Sequence, residues 1–263
     1  MLRDKIKISS AFKKIKENFY FTSGTNIIYQ NRVTRAGIAT KTIILLLIAS
    51  FFSGVSYFFT GFMINYKKNI YIFNIFSSII SFAWIIFFVF MIIGTRSIGA
   101  SKACSFVCSI FTGIPLGIML NLCEIVMPNI MPICLIALFA TASVFGVTSY
   151  LYYKGSLLEI DNLQLIKKMS YIFFALTIIE FIALFFCSGT LYAMICIPIN
   201  LFMIVFTTLI LIEHFRYVDN IIMNSMPIEY EWQLSLVFLK LFIYIFYRIF
   251  DTLIILFGST NRD

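Results

Sequence analysis

The sequence predicts an all-α integral membrane protein, a bundle of seven transmembrane helices. Of its 263 residues 61% are hydrophobic and only 12% are charged, and the mean hydropathy is +0.97. Polar surface could not cover so many apolar atoms in a water-soluble domain. Apolar runs of about 20 residues, the length of a helix that crosses the hydrocarbon core, also recur along the chain after residue 41.

Each apolar run predicts one span. The seven predicted spans are roughly 42–64, 70–93, 103–126, 130–152, 169–187, 190–212 and 232–257. Between the fifth and sixth, the stretch "FFCSGTLYA" predicts either a tight turn joining two antiparallel helices or one long broken helix. Residues 1–41 are then a basic N-terminal tail, 42–257 the membrane domain and 258–263 a short C-terminal tail.

The basic residues predict the orientation in a cell membrane. Most of the 20 Lys and Arg residues fall in the tail or in the loops after the second, fourth and sixth spans. The positive-inside rule then places the N-terminus in the cytoplasm and the C-terminus outside. The tail lacks the apolar core of a signal peptide, and it is expected either to lie on the inner leaflet as an amphipathic helix or to be solvated. We attribute the net charge of +8 to topology, and no nucleic acid is expected as a partner.

The third span carries a small residue at every fourth position, from Ser101 to Gly117. Small side chains at this interval allow two helices to approach closely in a membrane. Pro115 lies between Gly113 and Gly117, where it is expected to kink the helix. The pattern indicates a packing seam or, as the alternative, a kink that lines a ligand site.

The last span carries Lys240, Arg248 and Asp251, which with Tyr244 form one stripe along a helix. Lys240 follows Trp232 by eight residues, about 12 Å of helix, so it lies deep in the bilayer if Trp232 marks the interface. An unpaired cation at the centre costs roughly 3 kcal/mol on insertion scales. The stripe is therefore expected to face the bundle interior.

Several groups are candidate partners for this stripe. Glu180 in the fifth span and Glu124 in the third are candidate counter-charges, and Arg248 is expected to reach Asp251 on its own helix. The stripe predicts either a structural ion-pair network or a polar path whose carboxylates change protonation with pH.

The sixth span ends in "LIEHFRYVDN", which places Glu213 at the inner end of such a path. His214, the only histidine, is expected to be a solvated group that titrates near neutral pH.

No enzyme is predicted. The sequence contains no HExxH, GxSxG or Walker motif and no cysteine pair at metal-binding spacing. The six cysteines all fall inside predicted spans, as expected for buried thiols. Neither a metal site nor a cofactor is expected.

Four segments carry a resemblance to a known family. "PIEYEWQLSLVFLKLFIYIFYRIF" resembles the last segment of the Bax inhibitor-1/YccA family, and "KTIILLL" resembles the start of the first helix in its bacterial branch. "TGIPLG" is similar to the family's E-G-x-x-x-G motif, with Thr112 in place of the acid, and "ATASVFGVTSYLYYKG" resembles its fourth helix. The four segments occur in the family's order across residues 41–256.

The resemblance implies a seven-helix bundle around a central helix, and a proton-sensitive calcium leak. The family's pH sensor is a pair of acids in the last two helices. Its first acid maps near Glu213, while Lys240 is the charged residue nearest to the second position. A Glu213–Lys240 pair is therefore expected here. YccA-type members imply an alternative, a non-channel partner that regulates a membrane-bound ATP-dependent protease through the N-terminal tail.

Overall fold

The described part of the chain forms a bundle of seven α-helices. The computed structural model describes residues 32–67, 70–127, 130–155, 162–186 and 189–260. Within these ranges the helices are α1 (Arg35–Lys67), α2 (Ile70–Arg96), α3 (Ile98–Val126), α4 (Ile130–Tyr153), α5 (Asn162–Phe186), α6 (Gly189–Met223) and α7 (Tyr230–Thr260). The predicted fold class is confirmed, with one helix for each predicted span.

Three helices extend well beyond the predicted spans, and one of them is α5, which begins at Asn162 although its predicted span begins at 169. Helix α1 begins at Arg35, inside the predicted tail, and α6 continues to Met223 although its predicted span ends at 212. Hydropathy marks only the part of a helix that lies in hydrocarbon, whereas backbone hydrogen bonds continue the helix through the interface. The rest of the predicted tail, up to residue 31, and residues 261–263 lie outside the described residues.

Five described helices, α1, α2, α3, α4 and α6, are long and apolar enough to cross a bilayer. The other two, α5 and α7, each carry at least three charged residues. Helix α7 packs against α1, α2, α3, α4 and α6. Because protein surrounds it, its charged residues are tolerated at bilayer depth. The chain is thus a multi-pass membrane protein with a charged helix at its centre.

Buried apolar side chains surround α7 along its whole length. Near its start Leu234 packs with residues of α4 and α6, and Leu239 packs with residues of α1, α2 and α3. Further along, Phe250 packs against α3 and α4. Helix α5 lies at the periphery and packs mainly against α6. The turn between α5 and α6 is predicted at Ser188 and Gly189; Ser188 lies outside the described residues, and α6 begins at Gly189.

Helices α1 and α3 pack closely at the small residues predicted from sequence. A Cβ added to Gly113 would overlap the carbonyl oxygen of Ala49, and one added to Gly117 would overlap that of Ser53. Helix α3 continues through Pro115. Such close backbone contact gains van der Waals energy that larger side chains would prevent. The two glycines therefore form a packing seam between α1 and α3.

The seam predicts opposite effects for two glycine substitutions. Gly117→Ala should lower the free energy of unfolding by about 1–3 kcal/mol because its methyl group overlaps α1. Gly54→Ala should raise it by up to about 1 kcal/mol, because a Cβ there meets nothing within 4 Å and alanine favours the helix. Thermal unfolding in detergent, followed by circular dichroism, measures both. Equal shifts for the two variants would contradict the seam.

Candidate functional site

Helices α1 and α7 are clamped together where both begin, at what we call the basic end of the bundle. The Glu231 side chain is only 2% exposed. Its carboxylate accepts hydrogen bonds from the Thr34 backbone N–H at 2.8 Å, from the Thr34 hydroxyl at 3.1 Å and from Lys41 Nζ at 2.5 Å. Thr34 Oγ1 in turn accepts from the Gly37 N–H, which caps α1. This buried charge is therefore fully paired.

Two further contacts complete the basic end. Trp232 stacks beneath two lysines, with Lys41 Nζ 5.1 Å and Lys102 Nζ 5.8 Å from its ring centroid. Asp219 of α6 accepts two hydrogen bonds from Arg35 at 2.8 and 3.1 Å, and one from the Tyr152 hydroxyl at 2.8 Å. The start of α1 is thus tied to α4, α6 and α7.

A second polar network joins α5, α6 and α7 in the other half of the bundle. Arg248 Nη1 donates to Glu180 Oε1 at 2.5 Å and to Asn200 Oδ1 at 2.8 Å. The Asn200 amide nitrogen then donates to Asp251 Oδ2 at 2.8 Å. The Tyr244 hydroxyl accepts from Arg248 Nε at 3.2 Å. We call these five residues the outer network.

The predicted direct pairing of Arg248 with Asp251 is wrong, since Asn200 bridges the two side chains. Its amide offers an oxygen to the guanidinium and an N–H to the carboxylate, so both charges are satisfied. Asn200 is fully buried and was missed by the sequence analysis. The sequence feature that could have indicated Asn200 is the single amide in "IPIN", within an otherwise apolar stretch.

The structure does not bring Glu213 and Lys240 together. Glu213 pairs with Arg216 on its own helix at 3.3 Å, and Glu180 is engaged by Arg248. Among the described residues Lys240 forms no hydrogen bond or ion pair, and its side chain is exposed on the bundle surface. The expectation that Lys240 faces the interior is therefore wrong, while Arg248 and Asp251 do face it.

The rotation of α7 explains the position of Lys240. Gln233 and Tyr247 lie seven residues before and after Lys240, two turns in each direction, so all three share one face. Gln233 contacts the Thr95 carbonyl, and Tyr247 packs on Trp84, so this face borders α2. Lys240 therefore lies beside α2, away from Glu213 on α6.

Two other predicted groups have different surroundings from those expected. Glu124 accepts a hydrogen bond from the Tyr57 hydroxyl, beside a cavity of about 200 Å³ between α1 and α3, so it is not a counter-charge for the α7 stripe. His214 is buried, with Nε2 3.3 Å from the Leu234 carbonyl oxygen and its ring against Phe238. The prediction of a solvated histidine is wrong because this face of α6 packs on α7.

Within the described ranges, no three His, Cys, Asp or Glu side chains are arranged to hold a metal ion. The five cysteines that the structure describes are free thiols.

A family model described as "Bax inhibitor 1 like" matches residues 8–258 of the chain. The match covers the seven helices almost completely, including both polar networks. Comparison with curated proteins and with solved structures finds no match.

The outer network predicts strong coupling between Glu180 and Arg248. Glu180→Gln should destabilise the fold because it leaves the partly buried guanidinium of Arg248 without its direct ion-pair partner. Arg248→Met should destabilise it because the Glu180 carboxylate is then left without a cation. The double variant should lose about 1–3 kcal/mol less than the sum of the two single losses. A double-mutant cycle of unfolding in detergent measures this coupling. Additive losses would show that the pair contributes nothing.

Two tyrosines predict contrasting effects of hydroxyl removal. The Tyr247 hydroxyl is buried without a hydrogen-bond partner, so Tyr247→Phe should leave stability unchanged or raise it by about 1 kcal/mol. Tyr152→Phe is the matched control and should destabilise by about 1–2 kcal/mol, because it removes the bond to Asp219. Unfolding temperatures of both variants test the assignment, and a clear loss for Tyr247→Phe would contradict it.

Proposed function

Since the chain belongs to the Bax inhibitor 1 like family, we propose that it is a pH-modulated calcium or other cation leak of the cell membrane, without enzymatic activity. The observation that carries this proposal is the charge of the outer network. Glu180 and Asp251 provide two carboxylates against the single guanidinium of Arg248. One negative charge remains when all three are ionised, and a surplus negative charge at this depth favours a cation.

We assign the described arrangement to the closed state of the proposed path. Arg248 bridges α5 and α6 through Glu180 and Asn200, which fills the junction of the three helices with side chains. Protonation of Glu180 would remove the charge that holds Arg248, so acid should loosen this junction. We therefore propose that the ion pair is the gate and that a fall in pH opens it.

Glu213 is the candidate acid at the other end of the path. It lies seven residues after Phe206 on the same face of α6, and Phe206 contacts Phe173 of α5. Glu213 is partly exposed. The same junction of α5, α6 and α7 therefore carries an acid near the basic end, which we propose to be cytoplasmic by the positive-inside rule.

The gate predicts a specific flux pattern. Purified protein in calcium-dye-loaded liposomes should admit more calcium at pH 5 than at pH 8. Glu180→Gln mimics the protonated acid, so its flux at pH 8 should approach that of the parent protein at pH 5. Glu124→Gln is the matched control, because it removes a carboxylate outside the junction, and it should leave the pH profile unchanged.

Glu213→Gln and Lys240→Ala locate the path further. Glu213→Gln should reduce flux if this acid lies on the path, whereas Lys240→Ala should have little effect, since Lys240 lies on the α2 side of α7. No flux above empty liposomes in any folded variant would overturn the leak.

The second candidate is a non-channel partner that regulates a membrane-bound ATP-dependent protease. It is favoured by the missing acid pair, because Glu213 pairs with Arg216 and the charged residue nearest to the expected second acid is a lysine, Lys240. Removal of residues 1–31 should then abolish regulation and spare any leak. The truncation should stop there because the Val33 N–H donates to the Met226 carbonyl and Thr34 bonds Glu231.

A further inference from the structure

The exposed Lys240 side chain lies on the face of α7 that borders α2. On α7 this surface is bounded by Gln233 and Tyr247, which contact Thr95 and Trp84 of α2. Between those two contacts the helices present Lys240 on one side and apolar side chains on the other. We call this surface the α2–α7 groove.

The α2 wall of the groove is apolar and uncovered. Phe88 and Ile92 lie four and eight residues after Trp84 on one helical face, between the two contacts with α7. Their side chains are 55% and 52% exposed. Among the side chains that the structure describes, the ring and ion-pair contacts of α5 with α7 are at Tyr244 and Arg248, beyond Lys240. The exposure of Lys240, Phe88 and Ile92 leaves this surface open to the bilayer.

Lys240 carries an unbalanced charge in this apolar setting. It lies about 12 Å of helix beyond Trp232 and has no partner among the described residues. An ammonium group at such depth is stabilised by reaching the headgroup region or by drawing an anion towards it. The long aliphatic stem of lysine also suits a contact with lipid chains on the way to the headgroups.

More positive charge lies at the open end of the groove. Arg96 follows Thr95 at the end of α2, and Lys102 lies 5.8 Å from the Trp232 ring; both side chains are exposed. Glu231, the acid at the same helix start, is already neutralised by Lys41. A ligand entering here meets positive charge first, then Lys240, and an apolar wall beside it.

We propose that the α2–α7 groove binds one anionic phospholipid of the inner leaflet, with its phosphate paired to Lys240 and one acyl chain along Phe88 towards Trp84. Arg96 and Lys102 attract the headgroup, and Lys240 holds the phosphate deeper in the membrane than the phosphates of the surrounding lipids. A zwitterionic lipid binds less well because its own ammonium group offsets the phosphate charge. This site lies on the α2 side of α7, and its occupancy does not depend on whether the junction of α5, α6 and α7 conducts ions.

The two tryptophans of the chain provide a direct test. Trp232→Phe leaves Trp84 as the single reporter. Trp84 packs beside Tyr247, about 10 Å of helix beyond Lys240, where the acyl chain of a bound lipid should pass. The single-tryptophan protein is placed in phosphatidylcholine vesicles that contain a fraction of lipid with brominated chains, either phosphatidylglycerol or phosphatidylcholine.

Brominated phosphatidylglycerol should quench Trp84 in preference to brominated phosphatidylcholine, with about a fivefold difference in relative affinity. Lys240→Met should abolish this preference, and Lys240→Arg should retain it because the charge is kept. Lys168→Met removes an exposed lysine of α5 outside the groove and should have no effect. Thermal unfolding checks that each variant is folded, and Lys240→Gln serves as a second neutral variant.

Three outcomes would overturn the proposal. The first is equal quenching by the two brominated lipids in the parent protein. The second is an undiminished preference in folded Lys240→Met or Lys240→Gln. The third is an equal loss in Lys168→Met, which would show that general surface charge attracts the lipid. None of these outcomes bears on calcium flux, so a failure here is distinct from a failure of the proposed leak.

Discussion

The structure depends on the pairing of charges on and around one central helix. Helix α7 carries Glu231, Arg248 and Asp251 into surroundings where water cannot solvate them, so each must find its partners inside the protein. At the basic end Glu231 accepts two hydrogen bonds from Thr34, the residue before α1, and one from Lys41 of α1. In the other half, Arg248 donates hydrogen bonds to Glu180 of α5 and Asn200 of α6. The packing of the bundle follows from these two fixed points.

The two networks differ in how firmly they hold the helices that they join. The basic end joins α1 to α7 through the almost fully enclosed Glu231, and to α4 and α6 through the Arg35–Asp219 pair and Tyr152. The outer network instead joins the peripheral helix α5 to the centre through one guanidinium, and α5 has few other contacts with α7. A change of charge on Glu180 would therefore act on the least supported helix, which is why the outer network is the natural place for a gate.

Lys240 has a different role from the charges that face inward. The neighbouring positions on its face contact α2, and the groove beside it is apolar and open. A charge on the inside can be balanced by protein, whereas one on the outside has only the membrane to balance it. The two proposals thus concern different neighbours of α7, with α5 and α6 beside the ion path and α2 beside the lipid site.

The sequence by itself determined the properties that are local to one helix. Mean hydropathy gave the membrane class and the seven helices, because burial in lipid acts on each span separately. The small residues around Gly113 and Gly117 indicated a close seam, since a four-residue spacing fixes one helical face. The spacing of Arg248 and Asp251 correctly placed both on a single stripe.

Only the tertiary structure decided which charges meet. Pairing depends on how each helix is rotated and which neighbour it packs against, and neither is encoded in the spacing along one helix. For that reason Glu180 pairs with Arg248 and not with Lys240, Asn200 stands between Arg248 and Asp251, and His214 is buried against α7. Lys240, Arg248 and Asp251 share a stripe on α7, but partners from α5 and α6 meet only Arg248 and Asp251, and Lys240 is left exposed.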